Sequence, residues 1–281
     1  MPLVSGMYYL NHPGGSSEKP PIVLIHGAGG TGLFWPSEIR RLAGYRVIAP
    51  DLPGHGKSVG AGCQSIGQYS LALIDLLDKM DLYQAVFVGH SMGGAIALQL
   101  ALDYPDRVVG LSLFATGATF EIPHYLVEDA ANDLTYISVI NWLAAHSFNA
   151  SADERLVQLG MDRLAEIRGS VLYGDLLACE TFDVIASVSN IRCPVQIICG
   201  SEDRLTPPRF SHFLASRIPH SWLNLVNQAG HMLIWEQPLV TANLLWSYLD
   251  NLPYQLGRGR IHAESYRSVN KDHESTSGAP Q

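Results

Sequence analysis

The stretch Gly89-His90-Ser91-Met92-Gly93-Gly94 constrains this chain more than any other. Ahead of it stand four apolar residues in succession, Ala85-Val86-Phe87-Val88, and behind it residues 95–102 are rich in Ala and Leu. A short unbroken apolar run followed by an Ala/Leu-rich run reads as a buried strand, a tight turn and a helix, with Ser91 at the apex. So abrupt a reversal brings strand and helix into backbone contact. Gly89 and Gly93 stand where side chains would collide. A serine at such an apex sits in strained backbone, its hydroxyl raised above the sheet. The pattern G-x-S-x-G fixes only three positions, so its meaning depends on what the rest of the chain supplies.

The rest of the chain alternates strands and helices around that turn. Residues 7–10 read as a short strand. Ile22-Val23-Leu24-Ile25 is an uninterrupted apolar strand of the kind covered on both faces of a parallel sheet, and it ends in His26-Gly27-Ala28-Gly29-Gly30-Thr31-Gly32. The pattern predicts a helix over 35–42 and a strand over 45–50. After the loop 51–58, a long helix over 65–82 carries Ile66, Tyr69, Leu73, Leu77 and Met80 at three- and four-residue steps. Residues 108–114 form another buried strand.

From 119 to about 190 no strand-like run occurs, and the segment reads as several helices. Ser151-Ala152-Asp153-Glu154 has the form of a capping box opening a helix to about 168, and 170–179 reads as a further short helix. Strand rhythm returns at 195–199, followed by a helix over 208–217, a strand over 222–226 and a last helix over 238–249 with Pro238 in its first turn. The fold class is therefore α/β, a mostly parallel central sheet with helices on both faces and a helical insertion. The division is 1–118 and 191–252 for the two parts of the core and 119–190 for the insertion. Residues 253–281, polar and poor in large apolar groups, read as a disordered tail.

Composition narrows the function classes. The 281 residues, 47 % of them hydrophobic, suffice for one or two domains with buried cores. A net charge of −8, from 18 basic and 26 acidic residues, argues against nucleic acid as a partner. No apolar run approaches the ~20 residues that span a bilayer. The opening residues Met1-Pro2-Leu3-Val4-Ser5-Gly6 lack a charged n-region and a long apolar h-region, so the expected compartment is the cytoplasm. Cys63, Cys179, Cys193 and Cys199 show no C-x-x-C spacing and read as free thiols, and neither a metal nor a cofactor is expected. The glycines at 27–32 have no P-loop lysine after them, so they permit backbone geometry rather than bind phosphate. Oligomeric state leaves no mark in the sequence.

A serine hydroxyl needs a base within hydrogen-bond reach before it becomes a nucleophile. Histidine suits that task, and His231 lies in Gln228-Ala229-Gly230-His231-Met232, a small-residue loop after the last strand. In a parallel sheet the loops at the carboxyl ends of the strands converge on one rim, so this loop and the serine turn share it. Gly200-Ser201-Glu202-Asp203 also follows a strand, and offers Glu202 and Asp203 as the carboxylate that orients the base. For a developing oxyanion, the Met92 N–H opens a helix just after the serine, and the Ala28 N–H of the glycine-rich loop is the natural second donor.

Taken together, His26-Gly27-Ala28-Gly29, Asp51-x-x-Gly54-x-Gly56-x-Ser58, the turn at 89–94, Gly200-x-x-Asp203 and Gly230-His231 resemble the α/β-hydrolase fold family over about residues 5–252. The resemblance implies a triad of Ser91, Asp203 and His231, with Asp203 rather than Glu202 as the acid. It implies that 119–190 is a cap roofing the active site. Within the family the chain looks closest to the cap-bearing, cofactor-free lactonases, C–C hydrolases and esterases. Ser91 stands where epoxide hydrolases and haloalkane dehalogenases carry aspartate, which argues against those chemistries. The expected partner is a small-molecule carbonyl substrate, a carboxylic ester or lactone first. The alternatives are C–C, thioester or lyase chemistry with the same triad, or a ligand-binding protein without catalysis. Trp35, His90, Tyr136, Trp142, Met232 and Trp235 are the pocket candidates. His26, His55 and His90 suit bracing and packing roles, with His26 positioned to brace the oxyanion loop.

Overall fold

Apolar runs such as Ile22–Ile25 and residues 85–88 become strands buried on both faces. The strands are β1 (Leu3–Val4), β2 (Met7–His12), β3 (Ile22–Ile25), β4 (Val47–Pro50), β5 (Ala85–His90), β6 (Val108–Phe114), β7 (Val195–Gly200) and β8 (Ser221–Val226). The computed structural model describes residues 3–15 and 19–253, so the tail expected at 253–281 lies, apart from Pro253, outside the described residues. One sheet runs in the order β1-β2-β4-β3-β5-β6-β7-β8. β2 is antiparallel to β1 and β4, and every pairing from β4 to β8 is parallel. Register levels the carboxyl ends: Ile25 pairs with Gly89, His90 with Phe114, Phe114 with Ile198 and Gly200 with Val226. The loops after β3, β5, β7 and β8 therefore meet on one rim.

Alternate side chains serve two helical layers. Val23, Ile25, Phe87 and Ile197 pack with α2 (Ile66–Lys79), α3 (Met92–Asp103) and α8 (Pro208–Arg217). Ile22, Leu24, Val86, Val88 and Ile198 pack on the other face with α1 (Ser37–Arg40) and α10 (Pro238–Asp250). Strands covered on both faces have no polar side, which is why their sequences do not alternate. Between β6 and β7 the chain forms α4 (His124–Ala130), α5 (Tyr136–Ser147), α6 (Glu154–Ala165) and α7 (Gly169–Glu180), whose Leu126, Val139, Ile140, Val171 and Leu172 make a core of their own. A short α9 (Leu233–Glu236) precedes α10.

Where strand meets helix, the two glycines are required by contact. A Cβ on Gly89 would lie 2.2 Å from the Gly93 carbonyl oxygen, and one on Gly93 would lie 2.1 Å from that of Ile25. Both obstacles are backbone, which cannot rotate away. Gly89→Ala is expected to destabilise the protein by about 3 kcal/mol or more, read from the denaturant midpoint.

Several local expectations are corrected. The helix expected over 35–42 is a 3-10 turn at Gly32–Phe34 followed by α1, which starts at Ser37. Trp35 is extended (φ −72°, ψ 131°) because Pro36 crowds the helical region of the residue before it. The proposed capping box is displaced: Asp153, not Ser151, caps α6 by accepting from Arg155 N–H, and Ser151 binds Asn149 Oδ1 instead. β1 had no clear signal in two residues.

Candidate active site

Ser91 occupies φ 54°, ψ −119°, a conformation that costs a non-glycine residue on the order of 1–3 kcal/mol. Its surroundings over-determine it. The Ser91 N–H donates to the Phe114 carbonyl at 2.9 Å, and its own carbonyl accepts from Gly94 N–H and Thr116 Oγ1, each at 2.8 Å. Met92 follows as the first residue of α3, so its N–H has no intrahelical acceptor and stands at the positive end of the helix dipole. The loop after β3 runs directly against this turn. A Cβ on Gly27 would lie 3.2 Å from Ser91 Cβ and 3.1 Å from His90 Nδ1, so only glycine allows so close an approach without displacement.

His231 and Asp203 meet as a buried pair, with Nδ1 3.0 Å from Oδ2 and 3.2 Å from Oδ1. The carboxylate is otherwise saturated: Oδ1 accepts from the N–H groups of Leu205 (2.9 Å) and Thr206 (2.8 Å), and Oδ2 from Thr206 Oγ1 (2.8 Å). Burial opposes its charge, but the His231 ring and the Thr206 hydrogen bonds outweigh that and hold Asp203 below the usual carboxylate value. Glu202 is exposed in the adjoining turn. With Nδ1 committed to Asp203, the ring nitrogen left for other partners is Nε2. Ser91 and His231 line the same cavity, of about 570 Å³.

The residue before Ser91 ties the two loops together. His90 Nε2 donates to the His231 carbonyl at 2.9 Å, and the two rings lie 4.9 Å apart. Burial first, then the neighbouring His231, push His90 down to about 3, so it is a neutral brace. The His231 loop is also fastened to the helical insertion: Met232 N–H donates to the Ser147 carbonyl, and Glu236 accepts from Gly230 and Asn149 N–H.

Of the six side chains expected at the pocket, His90, Met232 and Trp235 line the cavity. Trp35, Tyr136 and Trp142 do not. Trp35 is fully buried under the rim, edge-on to Phe114 at 5.7 Å. The Tyr136 hydroxyl donates to the carbonyls of Leu164 and Ile167 inside the insertion. Trp142 stacks on His146 at 4.0 Å, while Leu143, Ala144 and Ser147 present the cavity-facing side of α5. The rotation of that helix decided the matter, and a sequence without a clean apolar stripe does not report it. Leu164, Ile167 and Phe148 from the insertion complete the apolar wall, with Lys57, Arg163 and Arg168 among the polar lining.

The loop carrying Ala28 is held by a buried polar network. His26 donates from Nδ1 to the Gly27 carbonyl (2.8 Å) and accepts at Nε2 from Leu52 N–H (3.0 Å). Asp51 accepts from Gly32 and Lys57 N–H. Asp175 of α7, which the sequence reading missed, is fully buried. Its Oδ2 accepts from Gly29 N–H and from His55 Nε2, each at 2.8 Å, and its Oδ1 from the Tyr69 hydroxyl at 2.5 Å. A signal did exist: Val171, Leu172, Asp175, Leu176 and Cys179 share the buried face of α7, so Asp175 is a charge on an apolar stripe.

His55 also donates from Nδ1 to the Pro53 carbonyl, so both ring nitrogens face acceptors. Burial alone would suppress its charge, but the Asp175 carboxylate prevails and lifts its pKa above 6.5. The stabilisation from this pair is fully present below pH 6.5 and is lost as pH rises through the raised folded value. Wild-type protein is expected to lose stability as pH rises above 6.5 by a component that His55→Gln lacks. Denaturant midpoints of the two proteins across that range check it; parallel profiles would remove His55 as the source.

The model of the alpha/beta hydrolase family matches residues 22–244. The chain belongs to the alpha/beta hydrolase family. This hydrolase is 28 % identical over 251 residues to a candidate carbamate hydrolase, RutD, of Caulobacter sp. strain K31, covering 81 % of this chain and 90 % of the relative. Its structure is similar to that of a thermophilic esterase from Thermogutta terrifontis (TM-score 0.80, 22 % identity, 88 % and 93 % of the two chains). It is equally similar to the enol-lactonase from Burkholderia xenovorans LB400 (TM-score 0.80, 23 % identity, 87 % and 96 %). At those identities the structural likeness is one of fold. Among the described residues, no helix of this hydrolase is long and apolar enough to cross a membrane.

Proposed function

We propose that this hydrolase is a serine hydrolase of small carboxylic esters or lactones, with Ser91 as nucleophile, His231 as base and Asp203 as the acid that orients it. The observation that carries this reading is the His231–Asp203 pair, whose geometry leaves Nε2 as the proton acceptor beside a cavity that Ser91 also lines. Ser91 Oγ attacks the substrate carbonyl while Nε2 takes its proton. Asp203 keeps Nδ1 protonated and stabilises the imidazolium that forms. The N–H groups of Ala28 and Met92 receive the oxyanion, and Nε2 returns the proton to the leaving alcohol. Water, deprotonated by Nε2, then releases the acyl group and regenerates Ser91. Each step uses only these groups and water.

A carbamate is the second reading, favoured by the name of the Caulobacter relative, since the same steps operate on a carbamoyl carbonyl. The test is fluorophosphonate labelling, combined with a turnover screen of aryl and alkyl esters, lactones, vinylogous diketones and carbamates against the Ser91→Ala control. Wild-type protein is expected to be labelled at Ser91 and to turn over one of these classes. Folded protein that resists labelling would overturn the proposal.

A further inference from the structure

We infer that Asp175, carried by the helical insertion, is a positioning residue for the oxyanion loop, so that turnover depends on how the insertion is seated on the core. The inference rests on the serine-hydrolase reading above and adds a component to it. Asp175 is the meeting point of three core segments: the loop after β3 through Gly29 N–H, the loop after β4 through His55, and α2 through Tyr69. The amide it holds is the next residue after Ala28, whose N–H is the proposed oxyanion donor. Gly29 stands at φ +64°, and a Cβ there would lie 2.9 Å from Leu164 Cδ2 and 3.5 Å from Leu172 Cδ1, so the insertion also walls this loop in sterically.

The energetics point to position rather than to bulk stability. A buried carboxylate is costly to desolvate, and well-packed apolar residues often replace a buried ion pair without loss. What a saturated carboxylate provides is directional, charge-assisted hydrogen bonding that fixes its donors in place. An oxyanion donor must lie within about 2.7–3.1 Å of the point the oxygen reaches in the transition state, and a misplacement of ~1 Å can cost on the order of 10²-fold. The oxyanion forms only as the carbonyl is attacked and is absent from the bound substrate, so a displaced Ala28 N–H lowers kcat and leaves KM nearly unchanged.

The test compares Asp175→Ala, Asp175→Asn and Tyr69→Phe with wild type. Active sites are titrated to completion with a fluorophosphonate, so that kcat counts only folded protein. Asp175→Ala is expected to lower kcat per titrated site by roughly 10- to 100-fold with KM within about threefold. Affinity for an aryl boronic acid, a tetrahedral mimic, is expected to fall by a similar factor. Asp175→Asn, whose amide oxygen still accepts from Gly29, falls between Asp175→Ala and wild type. Tyr69→Phe, which leaves the carboxylate but removes one of its donors, loses about two- to fivefold. A residue that only holds the fold would change the titrated fraction and not kcat per site. If kcat per site of the Asp175 variants stays within about twofold of wild type, the assignment is overturned. If neither Asp175 variant folds, an unchanged kcat per site in Tyr69→Phe overturns it. A wild type that neither labels nor turns over substrate defeats the serine-hydrolase reading itself, whereas an active wild type indifferent to Asp175 defeats this inference alone.

Discussion

Replacing Ser91 by alanine is expected to lower kcat by about 10⁴- to 10⁶-fold with the fold intact. Alanine keeps the Cβ, so the backbone strain at φ 54° is the same before and after. The hydrogen bonds that hold the position use the main chain of Ser91: its N–H donates to Phe114, and its carbonyl accepts from Gly94 and Thr116. None of them involves Oγ. Stability is therefore expected to change by no more than about 0.5 kcal/mol, while the proposed nucleophile is gone. Turnover of the best ester found in the screen, measured beside the thermal midpoint, decides the matter. A folded variant within tenfold of the wild-type rate would dismiss Ser91 from the mechanism.

Asp203→Asn is expected to cost about 10⁴ in kcat, by a route that the hydrogen bonds make explicit. Oδ1 serves two backbone donors, Leu205 and Thr206 N–H, so the amide of an asparagine turns its oxygen toward them. Its NH₂ then takes the place of Oδ2, against His231 Nδ1 and the Thr206 hydroxyl. Facing a donor, Nδ1 must become the acceptor, and the ring proton moves to Nε2. A base whose Nε2 already carries a proton cannot take one from serine. The measurement is kcat for Asp203→Asn beside Glu202→Gln, which alters an exposed neighbour and is expected to retain wild-type rates. If Glu202→Gln carried the loss, the acid would be reassigned.

What was legible in the sequence is whatever a few consecutive residues decide among themselves. An apolar run such as Ile22–Ile25, ending in a glycine-rich turn, reads as a strand covered on both faces, and the crossing of strand and helix at Gly89 and Gly93 leaves no room for a Cβ. Parallel order then places the ends of β5, β7 and β8 on one rim, bringing Ser91, the Asp203 turn and the His231 loop to the same edge. The fold class, and the neighbourhood of these three residues, follow from local pattern and topology.

Only the tertiary structure decided which faces look inward. Trp35 is buried beneath the rim, in extended backbone ahead of Pro36 rather than inside the expected helix, and Trp142 missed the cavity because α5 turns Leu143 toward it instead. Asp175 and Gly29 are 146 residues apart, and no local pattern pairs them. A helix's rotation and a carboxylate's partner are set by packing between distant segments, whereas the turn around Ser91 is set by steric exclusion among near neighbours. That difference separates what this chain's sequence determines alone from what its folded contacts had to supply.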